Sequence, residues 1–92
     1  MIKSFKHKGL KQYFTKDEKK LLDANDLPKI ERILDLLDAA ICAQDMNIPG
    51  WKLHELKGNR TGEWSVAVRA NWRITFRFEK GDVYDVNLED YH

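Results

Sequence analysis

One cysteine in 92 residues excludes an internal disulfide, so this chain has to be held together by packing and hydrogen bonds alone. That residue, Cys42, follows Ile41 in a helical pattern and reads as a small inert hydrophobe. No run approaches the ~20 apolar residues that a membrane-spanning helix needs. The opening Met1-Ile2-Lys3-Ser4-Phe5-Lys6-His7-Lys8 lacks the apolar core of a secretory signal. Together these absences predict a cytoplasmic protein with no membrane association. Internal repeats and low-complexity tracts are also missing, and no histidine and acid spacing fits a metal site, so no cofactor is expected. A hydrophobic content of 42% with 34% charged residues suits one globular domain spanning residues 1–92.

Lysine and arginine are absent from residues 81–92, and this points to a charge pattern hidden under a net charge of +1. Residues 1–20 carry +5, 21–50 carry −4, 51–80 carry +4 and 81–92 carry −4. In the third block the bases share space with aromatics and with His54, which suits a polyanion as partner. A solvated surface would show the same charge.

The best-patterned stretch is Glu63–Phe78. Trp64, Val66 and Val68 alternate with Ser65, Ala67 and Arg69; then Trp72, Ile74, Phe76 and Phe78 alternate with Arg73, Thr75 and Arg77. Period two with aromatic and β-branched residues predicts two antiparallel strands, each with one apolar face. Matching the apolar rows pairs Val68 with Trp72, Val66 with Ile74 and Trp64 with Phe76, leaving Arg69-Ala70-Asn71 as a three-residue loop with Asn71 as its left-handed residue. Arg69, Arg73 and Arg77 then share the polar face. By the same logic Lys80-Gly81-Asp82 is a second three-residue turn. Phe78 then opposes Tyr84, Phe76 Val86 and Ile74 Leu88, while Arg77 meets Asp85, Thr75 meets Asn87 and Arg73 meets Glu89 as cross-strand pairs.

Upstream, Ile2–Phe5 reads as a short strand and His7–Phe14 as a short amphipathic helix. Thr15-Lys16-Asp17-Glu18 fits a capping box for a second short helix. Asp26 and Pro28 open the clearest helix, where Ile30, Ile33, Leu34, Leu37 and Ile41 form a stripe to be covered by the Trp64/Ile74 sheet face. Trp51–Lys57 reads as a further strand beside the Trp64 strand, followed by a turn at Gly58–Gly62. The fold class is therefore α+β: a small antiparallel sheet with the N-terminal helices on one face.

The last strand runs into Glu89-Asp90-Tyr91-His92, and antiparallel pairing returns it beside Trp72 and Arg73. His54, Lys57, Arg69, Arg73, Asp90, Tyr91 and His92 can thus gather at one sheet edge. In RNA cleavage the ribose 2′-OH attacks its own 3′-phosphate. This needs a base, an acid for the 5′-oxygen and cations for the phosphate. Histidine, with an unperturbed pKa of about 6.5, suits the first two tasks and arginine the third. Tyrosine can stack on a base. Each residue also has a bland reading: a surface histidine at 54, a solvated turn lysine at 57, a frayed terminus at 91 and 92. His7, among lysines, is assigned no role.

Taken in order, these motifs resemble a known family. Lys52-Leu53-His54-Glu55-Leu56-Lys57-Gly58-Asn59-Arg60-Thr61-Gly62, then Trp64-Ser65, Val68-Arg69-Ala70-Asn71-Trp72-Arg73-Ile74-Thr75-Phe76 and Glu89-Asp90-Tyr91-His92 are similar to the HigB-type toxins of the RelE/ParE toxin–antitoxin superfamily. The resemblance implies a RelE-like fold and a toxin that acts as a ribosome-dependent mRNA endonuclease in the A site, without a metal. Its implied partners are the 70S ribosome, A-site mRNA and a HigA-like antitoxin, the toxin alone being a monomer. Carried over residue by residue, it implies a catalytic cluster of His54, Asp90, Tyr91 and His92 and RNA or phosphate contacts from Lys57, Arg69 and Arg73. The expected roles are proton transfer by His54 and His92 with Asp90 assisting, phosphate binding by Arg73, and nucleotide positioning by Tyr91. Relatives that poison DNA gyrase without nuclease activity give the alternative function.

Overall fold

The computed structural model describes residues 1–90; Tyr91 and His92 lie outside the described residues. Helix α1 covers Lys8–Lys16 and α2 covers Leu27–Ala39. Strands β1 (His54–Glu55), β2 (Glu63–Arg69), β3 (Trp72–Glu79) and β4 (Asp82–Asp90) follow. They form one antiparallel sheet in the order β1-β2-β3-β4. Short 3-10 turns occur at Ala43–Met46 and Gly58–Arg60. The N-terminal segment runs parallel to β4 through bridges Ile2 to Val83 and Phe5 to Val86. No described helix is long and apolar enough to cross a membrane.

The architecture is α+β, with both helices on one face of the sheet. Ile30, Ile33, Leu34 and Leu37 of α2 and Leu10 of α1 bury against Val66, Ile74, Phe76, Val83 and Val86. Each such side chain contributes roughly 1.5–3 kcal/mol before chain entropy is charged. Tyr13 Oη donates to Glu31 Oε2 at 2.9 Å, tying α1 to α2.

Several expectations give way to local geometry. Ile41 does not continue the stripe: α2 stops at Ala39, Ala40 turns extended, and Ile41 is 73% exposed. Cys42 is exposed as well. No second helix starts at Lys16, because Thr15 belongs to α1 and donates its hydroxyl to the Lys11 carbonyl at 2.6 Å, while Asp17 closes the helix in a left-handed conformation. The strand expected over Trp51–Lys57 is reduced to His54–Glu55, flanked by left-handed Lys52 and Gly58. Its place beside the Trp64 strand is as expected, with His54 opposite Ser65.

Both hairpins are tighter than period-two matching predicts. In the first, Trp64 faces Phe76 and Val66 faces Ile74, but Arg69 then pairs with Trp72 and Val68 is the extra residue of a bulge. The turn is Ala70-Asn71, with Ala70 rather than Asn71 carrying the positive φ of 50°. The bulge shifts the phase of the strand end, so Trp72 is exposed instead of meeting Val68. In the second, Ile74 faces Leu88, Thr75 faces Asn87 and Arg73 faces Glu89, but Phe78 faces Val83 and Arg77 faces Tyr84. Asp85, at φ 57°, takes up the extra residue. The turn contracts to Lys80-Gly81, both at positive φ, the combination a two-residue type I′ hairpin needs.

Candidate active site

The sheet face away from the helices is polar, and its rows follow from the register. One row runs His54, Ser65, Thr75, Asn87; the next runs Ala67, Arg73, Glu89. Opposed residues share a face, so His54 and Arg73 stand on the same side, two strands across and one row apart. With strands ~4.8 Å apart and ~7 Å between rows, their Cα atoms are separated by about 12 Å. Ser65 and Thr75 between them are almost fully buried, which polar side chains tolerate only with partners.

Local backbone sets the orientation of His54. Lys52 adopts φ 54°, and its carbonyl oxygen lies 3.3 Å from His54 Nδ1. A carbonyl only accepts, so this contact selects the tautomer with its proton on Nδ1 and leaves the Nε2 lone pair available. Ser65 Oγ is 3.5 Å from the same nitrogen and can accept from it as well.

The remaining expected residues divide. Arg73 is half-buried on this face, and Lys57 is exposed at the start of the Gly58–Arg60 turn. Arg77 is committed elsewhere: Nε donates to Asp85 Oδ2 at 2.9 Å and Nη1 is 3.5 Å from Glu79. Its hydrogen bond to Asp85 holds the guanidinium pKa above its ordinary value. Arg69 is not on the His54 face. The bulge at Val68 turns it to the helix side, where Nε donates to Asp26 Oδ1 at 2.6 Å and Nη2 to Oδ2 at 3.2 Å, with Asp23 3.5 Å away. Asp26 begins α2 without the side-chain cap that its position suggests, because its carboxylate serves Arg69. Asp90 stands opposite Trp72, out of phase with Arg73 and Glu89, so its row belongs to the helix side at the hairpin tip. The sites expected at Tyr91 and His92 lie outside the described residues.

Sequence reasoning passes over the most heavily bonded group on this face. Arg60 donates from Nη1 and Nη2 to the two oxygens of Glu89, at 2.9 and 2.6 Å, and from Nε and Nη2 to Glu63, at 3.1 and 3.0 Å. Thr75 Oγ1 donates to Glu89 Oε2 at 2.6 Å. Hydrogen bonds from Arg60 depress both carboxyl pKa values, and the carboxylates raise that of Arg60. The i, i+3 spacing of Arg60 and Glu63 is a visible signal; the link to Glu89 is not, since it spans 29 residues. His7, assigned no role, caps α1 by accepting the Leu10 N–H on Nδ1 at 3.1 Å. Among the described residues, no three His, Cys, Asp or Glu side chains gather to hold a metal ion.

Comparison with known proteins gives consistent matches. A family profile described as the RelE-like toxin of the type II toxin–antitoxin system HigB matches residues 3–92. The endoribonuclease HigB of Proteus vulgaris is 52% identical over the whole of both chains. Toxin HigB-1 of Vibrio cholerae serotype O1 is 30% identical, with 99% of this chain and 98% of that protein covered. Among solved structures, a histidine-to-glutamine mutant of YafQ from E. coli superposes with a TM-score of 0.58 at 16% identity, covering 98% of this chain and 91% of that one. YafQ from E. coli strain BL21(DE3) gives 0.54 at 14% identity with the same coverage. These two structures speak for the fold. The family profile and the full-length relatives reach further: this chain belongs to the HigB-like, RelE-like toxins of type II toxin–antitoxin systems.

Proposed function

We propose that this chain is an endoribonuclease that cuts mRNA in the ribosomal A site and so stops translation, and that a HigA-like antitoxin restrains it. The observation that carries the reading is the shared face of His54 and Arg73, with the Lys52 carbonyl at His54 Nδ1 leaving Nε2 for the proton. Support also comes from the full-length relative named as an endoribonuclease.

The chemistry needs only the substrate's own nucleophile. His54 Nε2 takes the 2′-OH proton as O2′ bonds to phosphorus. The P–O5′ bond breaks, and the leaving oxygen receives a proton from the acid, the role we give to His92. The products are a 2′,3′-cyclic phosphate and a 5′-hydroxyl end. Arg73 neutralises the phosphate at the crowded stage, where its planar fork is worth most. Asp90, on the helix side of the sheet, assists only indirectly, from the hairpin tip; Tyr91 positions the nucleotide, and Lys57 holds neighbouring backbone from its exposed turn. Arg69 contributes at the hairpin tip, from the edge of its guanidinium that Asp26 does not occupy. The site of action is the cytoplasm, where translating ribosomes are.

The test is a translation extract supplied with mRNA, with 5′ ends mapped after brief exposure. The wild-type chain should give codon-positioned cuts, and His54→Gln should cut about 10²–10⁴-fold more slowly. A His54→Gln protein as active as wild type would remove His54 from the mechanism. DNA breaks or loss of supercoiling without mRNA cuts would point to a gyrase poison.

A further inference from the structure

We infer that Arg60 is a positioning residue for the proposed cleavage: through Glu89 it fixes the C-terminal end of β4 directly opposite Arg73. The inference rests on the nuclease reading and goes beyond it by assigning a function to a residue outside the proposed reacting set.

Among the described residues, the end of β4 is paired on one side only. There β3 accompanies it as far as Trp72 and Asp90. On the other side, the N-terminal segment reaches only to Val86, through Lys6 N–H and His7 N–H donating to the Val86 carbonyl at 2.8 and 3.4 Å. Among the described residues, 87–90 thus form an edge, and an edge held by one partner strand opens more readily than a central strand. Arg60 counters this from the 3-10 turn between β1 and β2. One edge of its guanidinium grips Glu63 at the start of β2 and the other grips Glu89. Thr75, buried in β3, supplies a third donor to Glu89. Only a planar, five-donor group can serve two carboxylates in this way, and lysine cannot.

Charge gives the clamp a second consequence. Glu89 stands directly opposite Arg73, the position from which a carboxylate would compete with a phosphate for that guanidinium. With Arg60 and Thr75 on Glu89, the negative charge beside the phosphate position is already compensated.

The experiment uses the full chain with programmed ribosomes and compares wild type, Arg60→Met, Glu89→Gln and the double variant. Single-turnover cleavage is measured separately from ribosome affinity. Positioning predicts a cleavage step about ten- to a hundredfold slower in Arg60→Met, affinity within about twofold, and a double variant no slower than the slower single one. Arg60→Lys should not restore the rate. Additive losses, or a loss confined to affinity, would mean that Arg60 contacts RNA directly and would overturn the inference. Amide hydrogen exchange on the free proteins supplies a readout that needs no activity. Arg60→Met should speed exchange at residues 87–90 while the α2 amides stay protected, and unchanged exchange there would also overturn it. An inactive wild type with faster exchange in the variant would count against the nuclease reading and leave the clamp standing.

Discussion

At the scale of single residues, the pairing of Arg69 with Asp26 shows how position in the sequence and role in the fold separate. Alternation assigns Arg69 to the polar face; the bulge at Val68 delivers it to a carboxylate that is 7% exposed. The two partners are not equivalent. The Arg69 side chain is half exposed, so losing its partner returns it to water at little cost. Asp26 is buried, so losing Arg69 strands a charge. Arg69→Met should therefore lower the urea unfolding midpoint further than Asp26→Asn does. Equal effects would mean that the pair is governed by solvent screening and not by the burial of Asp26. Nothing in the local sequence shows this bond, because 43 residues separate the partners. His54 is legible as a residue type, whereas the Lys52 carbonyl that sets its tautomer depends on a left-handed non-glycine residue, which pattern does not reveal.

At the scale of elements, α1 begins with an unusual cap that makes it sensitive to acid. His7 Nδ1 accepts the Leu10 N–H, so the ring must be unprotonated there, and desolvation lowers its pKa below the usual 6.5. A depressed folded-state value means that the unfolded chain binds the proton more readily. The cap's contribution is complete above about pH 6.5 and is lost as pH falls through the lower, folded-state value. His7→Asn, a capping residue that does not titrate, should flatten the pH dependence of stability below about pH 6.5 while changing neutral stability by about 1 kcal/mol or less. A curve that keeps the wild-type slope would exclude His7 as its source. Gly9 belongs to the same arrangement: a Cβ there would stand 2.8 Å from His7 Cε1.

The elements also show where a sequence can be read and where it cannot. The α2 stripe from Ile30 to Leu37 and the β2–β3 pairing from Trp64 to Val66 are legible because burial imposes a period on them. The rows near Val83 and Trp72 are not, since one inserted residue reverses the faces and leaves composition unchanged. Ile41 misleads because a stripe carries no mark of where its helix stops, and Thr15 because its hydroxyl finds the Lys11 carbonyl first. Of the candidate site, the face shared by His54 and Arg73 is readable from register. The Arg60, Glu63 and Glu89 network, built across a turn, is not.

At the scale of the whole molecule, the division of labour is between two faces of one sheet. Helices α1 and α2 close the apolar face and form the core with it. That leaves the other face free to carry His54, Arg73 and a set of saturated carboxylates without sacrificing the core. Such a face can admit a polyanion because its acids are already bound to Arg60 and Thr75. The account is tested most directly by sequencing the 5′ ends of an mRNA exposed to the wild-type chain, once while it is translated and once with initiation blocked. We predict codon-phased cuts carrying 5′-hydroxyl ends on the translated message alone; equal cutting of both messages, or of neither, would contradict it.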